Sequence, residues 1–576
     1  MTEQGQHRSR PRSLVEQCEG VRESIRRGAV DDALGALDDL RRSHPSDADV
    51  LRLSAEAFAA ASRPIDALRA LDRIVEVERA DASDWKRMGC LLCEVGEFAQ
   101  GLGALQRSIE LDPSDVEAWY ECGRASYKLG DTTRAVIELG QAVRLTDVLA
   151  PKLALATTAP GADELTQEDI LRVRRDFAAA LAVEELKSPP ETPCDTTSDG
   201  KKTEPPRSGT DGKIRVGFVS SWFDRENYMK PVWALINAID RDQFVVYCYC
   251  DTPTDGPDDL PGYQSRDVDR LVATAGWSNG RLADAINADG IDILVDLNAY
   301  STPERLGLFL YRCAPVMAAW FNMYATSGLP EIDYIIGDDQ VVGADEDQYY
   351  SETVARLPLS YLTFSVTHQA PPVVPPPLAS RGYVTFGSLV TQYKITPTVI
   401  ATWSELLGRV DRSHLLIGNT ALASAENRRY VQDAFAGHGI DPGRLTFRGP
   451  ASHDKFLRYY DEIDIALDAF PYNGGTTTME AIWQGVPVVA YRGDRWASRT
   501  SASILSGTHL SSWVASDRRG YVDLAAQMAT DADCLGRLTE LRQTMRTRLT
   551  SSSVCDAAAL ARAMEDLFRK WLVQGH

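Results

Sequence analysis

The chain has 576 residues, a formal net charge of -21 and a sequence pI near 4.9. That charge opposes nucleic acid or an anionic membrane as the main partner, and no apolar run reaches the length of a membrane span. Hydrophobic content of 44% and charged content of 25% are those of a globular protein able to build large cores; the length predicts roughly three to four domains. The polar start MTEQGQHRSRPRS lacks the apolar core of a signal peptide, so a cytoplasmic location is expected, with residues 1–12 a polar tail. Ten scattered cysteines form no disulfide framework. The one CxxC, Cys90 and Cys93, falls in a helical pattern and reads as packing rather than a metal or redox site.

Residues 13–149 repeat. Trp85 and Trp119 are 34 residues apart, as are Gly89 and Gly123, and Gly96 and Gly130; Pro45 and Pro113 stand two such periods apart. Apolar positions keep helical spacing within each unit, as in AWYECGRASYKLGDTTRAVIELGQAV. The pattern resembles the tetratricopeptide repeat, with about four units of which the first two are degenerate. Stacked helical pairs of this kind form an α-solenoid whose concave face usually holds a peptide or protein; packing of the array on the next domain alone is the alternative.

Residues 150–186 then read as connecting helices, ending in EDILRVRRDFAAALAVEEL. Residues 187–213, KSPPETPCDTTSDGKKTEPPRSGTDGK, hold too few apolar groups for a core and are predicted to be a linker. From Lys213 the pattern turns to strand–helix alternation: RVGFVSSWF, FVVYCYC, IDILVDLNAY and DYIIGDD, then, after the proline-rich break at 370–377, YVTFGSL, SHLLIG, RLTFRG, DIALDAF and PVVAYRG. That alternation predicts two doubly wound parallel sheets, 214–370 and 371–553, with a ligand cleft at the strands' C-terminal ends. Residues 554–576 close the chain as a helix expected to pack back across the halves.

The stretch DIALDAFPYNGGTTTMEAIWQGVPVV, 464–489, carries the clearest chemistry. A buried strand runs into a turn at Asn473, Gly474 and Gly475, and Thr476, Thr477 and Thr478 open a helix. Glycine lets a ligand approach the backbone closely. Unpaired N–H groups and the positive end of the helix dipole then suit a phosphate or diphosphate. Glu480, one turn on, suits neutral hydroxyls such as those of a ribose. The pair Asp338 and Asp339 reads as a helix cap rather than a cation site, so no metal is expected.

Residues 214 to about 550 resemble the catalytic region of the O-GlcNAc transferase family, which includes SPINDLY-like and bacterial members. The runs that carry the resemblance are RVGFVSSWF, IDILVDLNAY, the block from Ala314 to Asp338, QYKITP, the 464–489 stretch and RGDRWASRTSASIL. The resemblance implies tetratricopeptide repeats ahead of an α/β GT-B fold of two Rossmann-like lobes, the first for the acceptor and the second for the nucleotide sugar. It makes Lys394 the cation that neutralises the departing diphosphate, with Tyr393 beside it. Thr476 and Thr477 fall on the diphosphate and Glu480 on the ribose. In PASHDKFLRYYDEIDIALD, Ala451 offers backbone groups to the base edge, His453 lies near a frequent family lysine, and Phe456 stacks on the base or belongs to the core.

Departures from the family lie in the first lobe. No histidine occurs between His44 and His368, and Glu226 and Lys230 stand where many members carry histidines. Tyr300 closes VDLNAY, and Asn322, Met323, Tyr324 and Ala325 precede Thr326 where family loops read roughly Gly-Tyr-Pro-Gly. Tyr300, Tyr324, Thr326 and Lys230 are therefore placed on the acceptor and sugar side. Glu226 is the expected base, the departing phosphate its substitute. The expected reaction is inverting, metal-independent transfer of a sugar, GlcNAc by resemblance, from UDP to Ser/Thr hydroxyls of a protein recruited by the repeats. No cofactor beyond the UDP-sugar co-substrate is expected. GDP-fucose or a UDP-hexose as donor, a non-protein acceptor, and a catalytically dead nucleotide-binding scaffold are the alternatives.

Overall fold

The structure is a computed structural model, and it describes residues 13–185, 187 and 212–574. The expected tail and nearly all of the expected linker lie outside these residues. Eight helices cover the repeat region among the described residues: α1 Leu14–Arg26, α2 Val30–Ser43, α3 Ala48–Ala60, α4 Pro64–Glu76, α5 Ala82–Glu94, α6 Phe98–Leu111, α7 Val116–Leu129 and α8 Thr132–Leu145. Among the described residues, 13–129 and 144–146 form one compact unit, and those of 130–143 and 147–574 form a second.

Within the first unit the 34-residue period has a physical basis. Gly28 and Gly96 end the first helix of their pairs with φ of 73° and 85°. Ser62, midway between them, adopts the same left-handed turn at φ 56°, which an L-residue adopts at a cost. Gly89 and Gly101 sit where α5 crosses α6: a Cβ on Gly101 would stand 2.6 Å from Cys93 Sγ. Cys93 is thus a packing thiol, and burial pushes the Cys90 and Cys93 thiols up to about 12. An ion pair recurs with the repeat as well. Arg52 reaches Asp84 and Asp81 of the next unit at 2.8 and 3.0 Å, and Lys86, 34 residues on, reaches Asp115 at 2.8 Å.

The second unit holds both sheets. Helices α9 (Leu149–Thr158) and α10 (Gln167–Glu185) lead in. The first lobe has β1 (Ile214–Ser220), α11 (Lys230–Ala238), β2 (Phe244–Cys250), β3 (Arg270–Ala273), α12 (Asn279–Asp289), β4 (Ile293–Asp296), β5 (Val316–Ala319), β6 (Tyr334–Asp338) and β7 (Thr353–Leu357). The second has α13 (Leu378–Arg381), β8 (Thr385–Ser388), α14 (Pro397–Arg409), β9 (His414–Gly418), α15 (Ala425–Gly437), β10 (Leu445–Arg448), α16 (His453–Arg458), β11 (Ile465–Leu467), α17 (Thr476–Trp483), β12 (Val488–Tyr491), α18 (Thr500–Ser506), β13 (Val514–Ala515) and α19 (Arg518–Thr530). Then α20 (Cys534–Thr550) and α21 (Ala557–Gln574) close the chain.

The strand orders are β3-β2-β1-β4-β5-β6-β7 and β10-β9-β8-β11-β12-β13. Every pairing is parallel. In each sheet the strand order switches its direction of progression once, between β1 and β4 and between β8 and β11. Loops leaving those central strands diverge and open a crevice. The lobes are stapled beside it. Ser503 donates to buried Asp338 Oδ2 at 2.5 Å, and Arg499 grips Glu346 at 2.5 and 2.8 Å. Asp338 caps a turn rather than a helix, accepting from the N–H groups of Gln340 and Val341 at 2.8 and 3.0 Å. Helix α21 packs on the first lobe, with Trp571 stacked on Tyr334 at 4.3 Å and Phe568 edge-on to Phe244 at 6.3 Å.

Candidate active site

The crevice is built at the switch point of the second sheet. Chain leaving β11 passes through Asp468, the cis Phe470–Pro471 bond and Asn473 into α17. Asp468 is buried, and its Oδ1 accepts from the N–H groups of Ala469 and Gly474 at 3.0 and 2.7 Å. The turn is braced from behind: Trp403 Nε1 donates to Tyr521 Oη at 3.1 Å, and Tyr521 donates to the Asp468 carbonyl at 3.0 Å. Burial pushes the Asp468 carboxyl up to about 7, against the Gly474 N–H that lowers it. A Cβ on Gly474 would stand 2.8 Å from Thr478 Oγ1, so a side chain there would force the threonine hydroxyls to shift.

Gly475 supplies no side-chain cap to α17. Thr478 Oγ1 pairs with Ser501 Oγ at 2.7 Å, so this threonine holds the turn instead of facing a ligand. The half-buried Thr476 and Thr477 differ: among the described residues their hydroxyls have no hydrogen-bond partner. Chain leaving β8 brings the facing cation. Lys394 Nζ donates to the Asn473 carbonyl at 2.7 Å and lies 4.1 Å above the Tyr472 ring, with Tyr393 at 5.9 Å. Burial draws its ammonium down to about 8, and the Asp468 charge opposes that. Uncapped N–H groups, two spare hydroxyls and an ammonium therefore converge on one turn, as a diphosphate requires.

Glu480 lies deeper. Its Oε1 accepts from His453 Nε2 at 2.7 Å and from Lys230 Nζ at 2.9 Å. Lys230 was expected on the acceptor side; it starts α11 in the first lobe and reaches across to the second. His368 packs edge-on to His453 at 4.7 Å, and among the described residues both its ring nitrogens are buried without a partner. Phe456 is half-buried, edge-on to Tyr460 at 6.1 Å, and Ala451 is half-buried at the start of the same segment.

Other first-lobe residues fall elsewhere than expected. Tyr300 is buried, donates to the Ser327 carbonyl at 2.8 Å and lies 3.9 Å beneath the Arg174 guanidinium of α10. It is a core residue, not an acceptor-side group. Thr326 is also removed from that side: its hydroxyl donates to Glu352 at 2.7 Å and accepts from Gly328 and Ser351 N–H at 3.1 and 3.0 Å. Tyr324 lies beside the Asn473–Thr477 turn, 5.2 Å from the Tyr472 ring. Its loop holds Asn322 at φ 69° and Tyr324 at φ 53°, so asparagine, which tolerates left-handed backbone, serves where the family loop has glycine. Glu226 Oε1 accepts from Thr367 at 2.5 Å and its charge acts on His368; among the described residues no group of the turn is its hydrogen-bond partner. The sequence reading missed Asp468, whose signal was its place directly after the central strand. It also missed the cross-lobe partner of Glu480, which no local pattern encodes.

The sequence profile of glycosyl transferase family 41 matches residues 199–370 and 380–564, well over half of the chain. The chain belongs to family 41. A tetratricopeptide repeat profile matches residues 21–84 and 86–151. Among family 41 relatives, a rice (Oryza sativa subsp. japonica) protein named as a probable UDP-N-acetylglucosamine–peptide N-acetylglucosaminyltransferase, SPINDLY, is 34% identical over 296 residues, covering 51% of this chain and 32% of the relative. An Arabidopsis thaliana protein named as a probable UDP-N-acetylglucosamine–peptide N-acetylglucosaminyltransferase, SEC, is 27% identical over 347 residues, 58% of this chain and 35% of the relative. The chain thus spans about a third of the length of these curated relatives. A solved O-GlcNAc transferase mutant from Thermobaculum terrenum is 26% identical with a TM-score of 0.74, covering 92% of this chain and 98% of that one. Repeats followed by two parallel-sheet lobes are therefore the arrangement of a known glycosyltransferase. Among the described residues no helix is long and apolar enough to cross a membrane.

Proposed function

We propose that the protein transfers a sugar, GlcNAc, from a UDP-sugar to a Ser/Thr hydroxyl of a protein held by the repeats, with inversion at the anomeric carbon. The observation that carries this reading is the meeting of Lys394 with the uncapped start of α17 at the Asn473–Thr477 turn. As the acceptor oxygen attacks the anomeric carbon, the sugar–phosphate bond breaks and charge grows on the departing diphosphate. The Lys394 ammonium and the first N–H groups of α17 are already in place to receive it. Because Glu226 is engaged by Thr367 away from that turn, we assign the hydroxyl proton to an oxygen of the departing phosphate. The local positive charge suffices for the leaving group, so transfer is expected to persist in EDTA.

The test is intact-protein mass spectrometry after incubation with UDP-GlcNAc, GDP-fucose or a UDP-hexose and candidate acceptor proteins. A GlcNAc mass increment from UDP-GlcNAc that Lys394→Ala abolishes supports the reading. An increment from GDP-fucose alone reassigns the donor. Neither transfer nor donor hydrolysis with any of the three leaves the scaffold alternative standing.

A further inference from the structure

The buried pair Lys230–Glu480 has no role in the leaving-group chemistry above. The Lys230 side chain is 2% exposed and that of Glu480 7%. Phe364, Val366, Met479 and Trp483 wall the space around them. Among the described residues Glu480 is the sole hydrogen-bond partner of the Lys230 ammonium. Burying two charges costs as much as their attraction returns, so such a pair adds little stability and is best understood through what it positions. Here it joins elements from different lobes, and it does so on the carboxylate nearest the expected ribose. Both donors, Lys230 and His453, bind the same oxygen, Oε1. Oε2 has no hydrogen-bond partner among the described residues, which leaves one acceptor oxygen for a ligand hydroxyl.

We propose that Lys230 is a positioning residue of the donor site: carried by the first lobe, its ammonium fixes the Glu480 carboxylate so that Oε2 accepts a ribose hydroxyl, and nucleotide binding is thereby coupled to lobe closure. This rests on the donor-site reading above and deepens it. A first-lobe lysine then contributes to grip on a ligand otherwise held by the second lobe. The titratable groups facing Glu480 are His453 on α16, Lys230 on α11, His368 beside them and the Tyr460 hydroxyl. Burial alone would raise the Glu480 carboxyl; the Lys230 charge and the His453 hydrogen bond outweigh it and hold the group below its ordinary range.

The experiment is calorimetric titration of the full chain with UDP, using wild type, Lys230→Met, Lys230→Arg, Glu480→Gln and the Lys230→Met/Glu480→Gln double variant. Thermal melts confirm that each is folded. The double variant leaves no unpaired buried ion, so it keeps the test valid where a single variant unfolds. Loss of one charge-assisted contact predicts that Lys230→Met binds about 10- to 100-fold more weakly, with partial recovery in Lys230→Arg. The double variant should bind no more weakly than Glu480→Gln alone. Without the ammonium, Glu480 takes up a proton more readily, so the Lys230→Met deficit should be larger near pH 6 than near pH 8. Wild-type affinity in Lys230→Met, or a deficit that adds to that of Glu480→Gln and is equal at both pH values, overturns the inference while leaving the donor site intact. A wild type that binds neither UDP nor GDP overturns both.

Discussion

Lys394 shows how one side chain is tuned by its neighbours. Burial against the Tyr472 ring draws its ammonium down to about 8. Two outcomes follow at this scale. Lys394→Ala should lower turnover by about 10²–10³, the usual effect of removing one group that stabilises transition-state charge; undiminished turnover would remove the lysine from the mechanism. Because kcat/KM for the donor reports the free enzyme, it should fall about tenfold per unit as pH rises through about 8 and the ammonium is lost. A flat profile from pH 7 to 10 would contradict the assignment, and Lys394→Arg should displace the fall to higher pH. Lys394, Thr476 and Thr477, which the structure brings to one turn, lie on the loops leaving the central strands β8 and β11, where position alone points to a ligand. Tyr300 and Thr326 were unreadable because their partners, Arg174 and Glu352, are distant in sequence. A tyrosine ending a strand looks the same in a sequence whether it faces a cleft or a buried guanidinium.

Among elements, the repeat helices were the most legible, because a period of 34 residues imposes the same contacts again and again. Even the degenerate second unit keeps the geometry, with Ser62 strained into the turn that glycine makes elsewhere. Ser62→Gly should therefore stabilise the repeats by about 1 kcal/mol, read as a higher urea midpoint; an unchanged or lower midpoint would show that the turn carries no strain. Gly130 is the opposite case. At φ 90° its Cβ position meets the carbonyl oxygens of Ile395 and Gln392, the latter at 2.8 Å, so Gly130 is packed onto the turn that presents Lys394. Gly130→Ala should cost at least about 2 kcal/mol and depress donor turnover together with stability. A stable variant with normal turnover would show that the turn tolerates displacement. The strands β3, β5, β7 and β13 escaped notice: β13 has two residues, β3 is half-exposed, and Ala318–Ala319 in β5 and Arg356 in β7 break the apolar run that marks a buried strand.

For the whole molecule, strand–helix alternation revealed two sheets, but not how closely their lobes are fastened. RGDRWASRTSASIL was read as a catalytic-region run, yet it supplies Arg499 and Ser503 to Glu346 and Asp338 of the first lobe. A contact between distant segments has no local period, so only the folded chain displays it. The second unit holds both sheets, with Gly130 against the Lys394 turn. Removal of residues 1–129 should accordingly spare donor hydrolysis and impair modification of protein acceptors; equal modification would take recruitment away from the repeats.

All of this depends on a nucleoside diphosphate lodging between Lys394 and the first turn of α17. The most direct measurement is a crystal structure of the full chain soaked with UDP. The account predicts phosphate density within hydrogen-bond reach of Lys394 Nζ and the Thr476 and Thr477 hydroxyls, with the ribose on Glu480. Density for the nucleotide anywhere else, or an empty turn at saturating UDP, would contradict it.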